Sequence, residues 1–243
     1  MSKIALITGG SKGIGKAITL QLSSEGYYVL INYHSDDDAA ENTLNKVNAG
    51  GGKGELLKFD VSDKNEIITV LTHWKENNEG KIIEVLINNA GIRKDNLLIW
   101  LEEDQWSDVI NTNFNSFYFI TRQLLQDMLL NKFGRIVNIV SLSGQKGMAG
   151  QVNYSAAKGG IIAATKALAQ EVGKKKVTVN AVAPGFIRTE MTQDLDEDTL
   201  KKMVPLNRFG EPEEVAHLVS FLVSEKTNYI TGEVISINGG LYT

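Results

Sequence analysis

Cysteine is absent from this 243-residue chain, and histidine and proline occur only three times each. Without cysteine the chain can form no disulfide, and it has neither a thiol nucleophile nor a thiolate metal ligand. His34, His73 and His217 lack the spacing of a metal site, so no metal is expected. No internal repeat, low-complexity tract or proline-rich linker divides the sequence. These absences favour one domain over residues 1–243.

Long apolar runs and an excess of positive charge are also missing. No run reaches the roughly 18 residues that span a bilayer, so no transmembrane helix is expected. Met1-Ser2-Lys3 leads directly into an apolar segment, which leaves no room for a signal peptide. The formal net charge is -4, whereas nucleic-acid-binding proteins usually present a basic surface. The sequence predicts a cytoplasmic protein that binds neither nucleic acid nor membrane.

Short apolar segments alternate with segments of helical periodicity. The apolar segments are mostly continuous, as in strands covered on both faces, whereas Ile161, Thr165 and Leu168 recur every three or four residues, as on a helix. This alternation predicts a single-domain α/β fold, a doubly wound (Rossmann) parallel sheet of about seven strands flanked by helices. The predicted strands are Ile4–Thr8, Tyr28–Asn32, Glu55–Phe59, Val85–Asn88, Ile136–Val140, Thr178–Val182 and Val234–Ile237.

A glycine-rich loop, Thr8–Gly15, follows the first predicted strand and precedes a helical segment. Glycine permits a tight turn and a close backbone approach to a pyrophosphate, and the N-terminus of the helix presents free N–H groups. The spacing is G-x-x-x-G-x-G rather than G-x-G-x-x-G, and an ordinary connecting turn is the alternative. The loop predicts a dinucleotide site that includes Gly9, Ser11, Lys12, Gly13, Ile14 and Gly15.

The end of the second predicted strand indicates which dinucleotide binds. An acidic residue there would bind the ribose 2′-hydroxyl of NAD and repel a 2′-phosphate, but none stands in Asn32-Tyr33-His34-Ser35. Asp36–Asp38 are expected to open the next helix, because the helix dipole favours anions there. Lys12 offers a cation, and Asn32, His34 and Ser35 offer hydrogen-bond donors. NADPH is therefore the predicted cofactor.

Two further strand ends carry residues that suit a nucleotide. Asp60, after the third predicted strand, could accept a hydrogen bond from an adenine amino group, although a turn or N-cap role explains it nearly as well. Asn88-Asn89-Ala90-Gly91 ends the fourth strand, where small residues would let a ribose approach. Adjacent asparagines are also ordinary turn residues. The support for Asp60, Asn89, Ala90 and Gly91 comes from their shared position at successive strand ends.

Ser141, Tyr154 and Lys158 form a candidate catalytic group. Ser141 ends the fifth predicted strand, and Tyr154 and Lys158 are four residues apart, which places them one turn apart on one helix face. The ammonium is expected to lower the pKa of the phenol from about 10, so that Tyr154 can protonate a carbonyl oxygen that Ser141 holds. Taken alone, the Tyr-x-x-x-Lys pattern is more often an exposed tyrosine and a solvated lysine.

These motifs resemble the signatures of the short-chain dehydrogenase/reductase family, in their usual order and over essentially the whole chain. The stretches most similar to 3-oxoacyl-[acyl-carrier-protein] reductases are Asn88–Leu98, Gly150–Tyr154, Ala183–Met191 and Tyr229–Gly240. The resemblance implies reduction of a 3-oxoacyl thioester to the 3-hydroxyacyl form during fatty-acid or related acyl-chain synthesis. The alternatives are a reductase or dehydrogenase of another ketone or alcohol, and a non-catalytic cofactor-binding subunit.

The resemblance also assigns roles to individual residues. It implies that Asn113 joins Ser141, Tyr154 and Lys158 as a fourth catalytic residue by holding a water molecule. It places Asp60 and Val61 against the adenine. The remaining residues that it assigns to the cofactor site are Asn89, Ala90, Gly91, Pro184, Gly185, Ile187 and Thr189. Lys12 stands where arginine is frequent in the family, and His34 stands where the 2′-phosphate would bind.

Acyl carrier protein and further copies of this chain are the expected partners. A carrier is strongly acidic, so a basic patch at the mouth of the site is expected, formed by Lys132, Arg135 and Lys175. Cations at a helix C-terminus are also favourable without any partner. The resemblance implies a homotetramer. Its interface would include the aromatic-rich segment around Trp100 and Tyr118, with Gly159, Gly160, Ala163 and Ala164 allowing close helix approach.

Overall fold

The computed structural model describes residues 3–243. Its strands form one seven-stranded parallel sheet in the order β3-β2-β1-β4-β5-β6-β7. This architecture confirms the predicted fold class, and each predicted strand is present with ends that shift by a few residues at most. The strands are β1 Ile4–Ile7, β2 Tyr28–Tyr33, β3 Lys53–Lys58, β4 Val85–Asn88, β5 Gly134–Ile139, β6 Val177–Pro184 and β7 Val234–Ile237.

Helices cover both faces of the sheet. Asp36 caps the second helix by accepting a hydrogen bond from Ala39 N at 2.9 Å, which confirms the prediction that the aspartates open this helix. Within residues 3–243 no helix is both long and apolar enough to cross a bilayer. The α-helices are α1 Gly13–Ser24, α2 Asp37–Ala49, α3 Lys64–Asn77, α4 Glu103–Ile110, α5 Ser116–Asn131, α6 Leu142–Lys146, α7 Val152–Val172, α8 Glu197–Leu200 and α9 Pro212–Val223.

The core lies in two layers, one on each side of the sheet. Alternate residues of each central strand enter opposite layers, and in β1 Leu6 belongs to one layer while Ile7 belongs to the other. Helices α3, α5 and α7 cover the first layer, and α1, α2 and α9 cover the second. Full burial of such a side chain stabilises the fold by about 1.5–3 kcal/mol. Two covered faces explain why the strands are apolar without alternation.

The sheet reverses its winding between β1 and β4. From β1 the chain adds β2 and β3 on one side, and from β4 it adds the remaining strands on the other. Ligands of doubly wound sheets bind in the crevice that this reversal leaves at the carboxyl ends of the strands. The glycine-rich loop follows β1, and Asn89 follows β4, so both lie at this crevice.

The cations predicted to bind a carrier protein lie at the other end of the strands, away from this crevice. Lys132 lies two residues before β5 and Lys175 two residues before β6, at the amino ends of these strands. Arg135 is only 1% exposed, and its guanidinium donates to Gly134 O and Asn228 Oδ1. The prediction that Lys132, Arg135 and Lys175 border the mouth of this chain's site is therefore wrong. Arg135 instead ties the start of β5 to the turn that contains Asn228.

The predicted subunit interface has both exposed and buried members. Trp100 and Tyr118 are more than half exposed, whereas Phe114, which belongs to the same aromatic-rich segment, is half-buried in the chain's own core. A Cβ on Gly160 would lie 2.8 Å from the ring of Phe114, so this glycine accommodates a ring of its own chain. Ala163 is exposed on α7. An interface through α5 and α7 stays a prediction, carried by the exposed residues.

Candidate active site

One pocket of about 740 Å³ lies at the carboxyl ends of the strands. The loops that follow β1 to β6 contribute its walls. Of the residues predicted for the site, Ser11 and Asn113 do not line this pocket. The predicted residues that line it are Gly9, Lys12, Gly13, Ile14, Gly15, Asn32, His34, Asp60, Val61, Asn89, Ala90, Gly91, Ser141, Tyr154, Lys158, Pro184, Gly185, Ile187 and Thr189.

The glycine-rich loop is shaped for a ligand that approaches its backbone. Gly9 and Gly13 have φ values of +60° and +49°, which favour glycine. A Cβ on Gly15 would lie 2.1 Å from Gly9 O, so the loop packs against the first turn of α1 without room for a side chain. No side chain caps the N-terminus of α1, and its first N–H groups are left for an anion. This cradle fits the pyrophosphate of a dinucleotide.

Asn32 braces the loop and has no donor left for a cofactor phosphate. Its Oδ1 accepts from Gly9 N at 3.1 Å, and its Nδ2 donates to Phe59 O at 3.0 Å and to Leu57 O at 3.3 Å. The side chain is almost fully buried. The prediction that Asn32 donates to the 2′-phosphate is wrong, because backbone groups of the glycine-rich loop and of the chain around the end of β3 satisfy both ends of the amide. Ser11 is likewise buried, and its carbonyl accepts from Thr43 Oγ1.

The cation predicted for the 2′-phosphate is held between two carboxylates. Lys12 Nζ lies 2.5 Å from Asp36 Oδ2 and 3.4 Å from Glu190 Oε2. The hydrogen bond to Asp36 raises the pKa of Lys12, which keeps the ammonium charged. His34 is exposed, with Nδ1 3.9 Å from Asp60 Oδ2. Acidic groups therefore surround both groups that would bind the phosphate.

Asp60 forms a turn where the pocket borders the end of β3. Its Oδ1 accepts from Ser62 N at 2.7 Å, which is the turn role that the sequence left open. Asn89 plays a similar bracing part, because its Nδ2 donates to Thr8 O at 2.9 Å and Gly9 O at 3.2 Å. Both residues line the pocket while their side chains stabilise its rim.

Ser141, Tyr154 and Lys158 converge at the other end of the pocket. Ser141 lies just beyond β5 at the N-cap of α6, and its Oγ accepts from Ser143 N at 3.1 Å. Tyr154 and Lys158 lie one turn apart on α7, and both side chains are buried. Lys158 Nζ donates to Ile139 O at 2.9 Å and lies 5.6 Å from the centroid of the Tyr154 ring. The sequence therefore predicted the right neighbours.

Burial dominates the pKa of both titratable groups. It raises the pKa of Tyr154 to about 12, against the opposing effects of the Arg93 charge and the hydrogen bond with Ser141. It lowers the pKa of Lys158 to about 8. The expectation that Lys158 brings the pKa of Tyr154 below its usual value is wrong for this structure. The reason is that the loss of hydration outweighs the attraction of nearby charge.

Asn113 lies behind the catalytic residues in a π-helical turn, Asn111–Asn115, between α4 and α5. Its Nδ2 donates to Ile92 O at 3.0 Å and Val109 O at 2.9 Å. Its Oδ1 is buried and has no protein partner within residues 3–243. A Cβ on Gly91 would lie 2.5 Å from this oxygen, so Gly91 leaves space beside it. An unpaired acceptor here suits the predicted water-binding role, which stays a prediction.

Comparison with known proteins decides the family. The family model described as Enoyl-(Acyl carrier protein) reductase matches residues 9–242. The 3-oxoacyl-[acyl-carrier-protein] reductase FabG of Pseudomonas aeruginosa is 44% identical over 243 residues, which cover 99% of this chain and 97% of that protein. The chain belongs to the short-chain dehydrogenase/reductase family. Proteins of the same description from Staphylococcus epidermidis and Haemophilus influenzae are each 42% identical, over 100% and 99% of this chain and 100% and 98% of those proteins.

Membership in the short-chain dehydrogenase/reductase family confirms the resemblance drawn from the motifs and implies a nicotinamide cofactor. Several pocket residues of this family member escaped the sequence analysis: Arg93, Gln151, Met191 and Met203. Arg93 had one signal, its position directly after the small-residue turn that ends β4. Gln151 had another, three residues before Tyr154. Met191 ends the stretch Ala183–Met191 that carries the family resemblance, whereas Met203 lies beyond it, where the sequence carries no distinguishing pattern.

Proposed function

We propose that this chain reduces a 3-oxoacyl-[acyl-carrier-protein] thioester to the 3-hydroxyacyl form in fatty-acid or related acyl-chain synthesis. The observation that carries the proposal is that Ser141, Tyr154 and Lys158 line the same pocket as the glycine-rich loop. Relatives described as 3-oxoacyl-[acyl-carrier-protein] reductases, 40–44% identical, align over essentially the whole chain and support the substrate class.

The side chains divide the chemistry among them. When bound, a nicotinamide cofactor supplies the hydride. The phenol of Tyr154 stays protonated at neutral pH, because burial raises its pKa, and it delivers that proton to the ketone oxygen. The Ser141 hydroxyl donates a hydrogen bond to the same oxygen as negative charge develops on it. Lys158, anchored on Ile139 O, keeps a cation beside the ring of Tyr154.

NADPH is the proposed cofactor. Lys12 and His34 line the pocket beyond β1 and β2, and no carboxylate ends β2 itself. A 2′-phosphate would compete with Asp36 and Glu190 for the ammonium of Lys12. A dianionic phosphate carries more charge than one carboxylate and is the stronger partner for a lysine.

Replacement of Tyr154 by phenylalanine tests the proposal. The wild-type protein should oxidise NADPH, followed at 340 nm, when given a 3-oxoacyl thioester. The Tyr154→Phe variant keeps the ring but loses the proton donor, so kcat should fall by about 10²–10⁴-fold. The dissociation constant for NADPH should stay within about twofold, because the ring still fills the same space.

A panel of substrates, tested with the wild-type protein, separates the proposed function from its two alternatives, a reductase of another ketone or alcohol and a non-catalytic subunit. It contains a 3-oxoacyl thioester, an enoyl thioester, an acyl-CoA, a sugar and a steroid ketone. Turnover of another substrate but not of the 3-oxoacyl thioester would contradict the proposed substrate class. Binding of NADPH without turnover of any substrate would instead support the non-catalytic subunit.

Acyl carrier protein and three further copies of this chain are the proposed partners. The carrier is supported by the names of the relatives, and the exposed Lys146 at the pocket places a cation where an acidic carrier would approach. The homotetramer is supported by the exposed Ile99, Trp100 and Tyr118, whose apolar surface has no cover within the described chain. Sedimentation equilibrium measures the assembly, and a monomer at micromolar concentration would contradict it.

A further inference from the structure

Asn153 is a buried polar residue that the mechanism above does not use. It is the second residue of α7, it directly precedes Tyr154, and its side chain is fully buried. It does not line the pocket, so a ligand in the pocket does not meet its side chain. Burial of an amide costs free energy unless hydrogen bonds compensate for the loss of water. The partners of Asn153 therefore indicate what the residue does.

The oxygen of this amide holds the backbone of Tyr154. Asn153 Oδ1 accepts a hydrogen bond from Tyr154 N at 2.7 Å. The first N–H groups of a helix have no carbonyl partner within the helix, and the side chain of Gln151, the N-cap residue of α7, makes no capping bond. Asn153 therefore supplies the partner that Tyr154 N lacks, and it fixes the first turn of α7 at the residue proposed to donate the proton.

The nitrogen of the amide ties α7 to two other parts of the chain. Asn153 Nδ2 donates to Lys94 O at 3.0 Å, in the segment after β4, and to Gln105 O at 3.4 Å, in α4. Lys94 follows Gly91, a residue of the pocket wall, in that same segment. Because a carbonyl can only accept and a backbone N–H can only donate, these partners allow one orientation of the amide. The side chain thus joins the start of α7 to the wall that follows β4.

A second anchor holds α7 one turn later. Lys158 Nζ donates to Ile139 O at 2.9 Å, at the end of β5. Tyr154 lies between the two anchors, and its side chain lines the pocket together with Ser141. The phenol oxygen is at the far end of this side chain, so a small tilt of the first turn displaces the oxygen further than the backbone. A displacement of about 1 Å can slow a reaction by about 100-fold.

We propose that Asn153 is a positioning residue for Tyr154. Its amide fixes the first turn of α7 against the segment after β4, and thereby aims the phenol at the ketone oxygen of the substrate. The proposal rests on the function proposed above, in which Tyr154 donates the proton. Because the side chain of Asn153 lies outside the pocket, its effect on the reaction passes through the position of Tyr154.

A double-mutant cycle with Asn153→Leu and Tyr154→Phe tests this route. Leucine is similar in size to asparagine and removes all three hydrogen bonds. With Tyr154 present, kcat for the N-acetylcysteamine thioester of 3-oxobutanoate should fall by about 10- to 100-fold. In Tyr154→Phe, the same substitution should change the residual kcat by less than about twofold, because no phenol remains to be misplaced. Rates are divided by the number of cofactor-binding sites, so that unfolded protein does not lower kcat.

Thr165→Val is the matched control. Thr165 is also fully buried on α7, and its Oγ1 accepts from Asn138 Nδ2 at 2.8 Å. Valine has the same shape and removes a buried hydrogen bond of α7 about three turns away from Tyr154. The Tm should fall, whereas kcat should stay within about twofold of the wild type, because distant sites act independently. A loss of kcat as large as in Asn153→Leu would show that any weakening of α7 slows the reaction, and would overturn the proposal.

The outcomes separate the two proposals. A wild-type protein that does not reduce the thioester contradicts the proposed function. A wild-type protein that reduces it, with equal effects of Asn153→Leu in both backgrounds or with no effect in either, overturns the role of Asn153 alone.

A second measurement and a second variant cover the difficult cases. If the residual rate of Tyr154→Phe is too slow to measure, the solvent deuterium isotope effect on kcat replaces the cycle. It should rise in Asn153→Leu, because a misplaced donor slows proton transfer, and an unchanged value overturns the role. If Asn153→Leu binds no cofactor, Asn153→Ser, which keeps a polar group beside Tyr154 N, takes its place in the same cycle.

Discussion

Lys12 faces opposite demands at the cofactor end of the pocket. It is the cation proposed to bind the 2′-phosphate, yet Asp36 Oδ2 lies 2.5 Å from its ammonium. Asp36 also caps α2 through Ala39 N. The same carboxylate therefore stabilises a helix and would compete with the proposed 2′-phosphate for Lys12, so a substitution of Asp36 tests the proposed cofactor.

The substitution Asp36→Asn should strengthen NADPH binding. Asparagine caps a helix as well as aspartate does, so α2 should be retained while the charge that competes for Lys12 is lost. Because both side chains are partly exposed, the gain is modest, and KM for NADPH should fall about two- to fivefold. Steady-state kinetics with NADPH and NADH measures the effect, and KM for NADH serves as the internal control. An equal change for both cofactors would show that the 2′-phosphate does not meet Lys12.

At the scale of the element, the β1–α1 unit presents its backbone to the ligand. The loop is rigid because Asn32 and Asn89, which arrive from β2 and β4, both bond to Gly9. Gly15 completes the unit by allowing Gly9 O to lie against the helix. The motif thus needs partners from two other strands before it can hold an anion.

The substitution Gly15→Ala should disrupt this unit. A Cβ 2.1 Å from Gly9 O forces the backbone to move, which should lower the free energy of unfolding by about 1–3 kcal/mol. The dissociation constant for NADPH should rise at least about tenfold, because the N–H groups lose their alignment. Thermal unfolding and cofactor titration measure the two effects.

Gly173→Ala is the control for the glycine substitution. Gly173 ends α7 in the right-handed helical region with a φ of −56°, and a Cβ there meets nothing within 4 Å. Stability should stay constant or rise by up to about 1 kcal/mol, since alanine restricts the unfolded chain. Equal losses of cofactor affinity in the two variants would argue against the steric role of Gly15.

At the scale of the whole molecule, the amino and carboxyl ends of the parallel strands contribute differently to stability. At the amino ends, Arg135 stabilises the fold, because its partners Lys176 and Asn228 come from distant parts of the chain. At the carboxyl ends, Lys158 is buried, and this burial lowers its pKa to about 8. An ammonium that is kept from water destabilises the folded state, so Lys158 lowers the free energy of unfolding of the protein.

Lys158→Met should stabilise the protein in a pH-dependent way. The unfolded chain holds the Lys158 proton up to its ordinary pKa of 10.5, whereas the folded chain releases it from about pH 8. The cost is therefore full below pH 8, at most about 3 kcal/mol, and declines as pH rises towards 10.5. The Tm of the inactive variant should exceed that of the wild type at pH 7, and the gap should narrow by about pH 9.5.

The control for Lys158→Met is Lys174→Met, which removes an exposed lysine. Its Tm should follow that of the wild type across the same series. A difference between Lys158→Met and the wild type that does not change with pH would contradict the burial argument. The series stops below pH 10, because unfolded tyrosine begins to lose its proton there.

Much of the fold and of the site followed from local patterns. The β-strands were predicted because strands covered on both faces must be apolar throughout, and the start of α2 because aspartates favour a helix N-terminus. Tyr154 and Lys158 were placed together by helix geometry alone. Arg135 and Asn32 were misjudged, since each is satisfied by atoms distant in sequence. Asn228, for example, lies 93 residues from Arg135.

The sequence by itself determined the alternation of strand and helix, the glycine-rich loop at a strand end and the shared helix face of Tyr154 and Lys158. Each of these features depends on residues that are close to one another in the sequence. Only the tertiary structure decided which cations are buried, that Asp36 and Glu190 both meet Lys12, and that Arg93 donates a hydrogen bond to Met191 O in the segment after β6. Those outcomes depend on which strands become neighbours and how much water they exclude, and chain folding sets both.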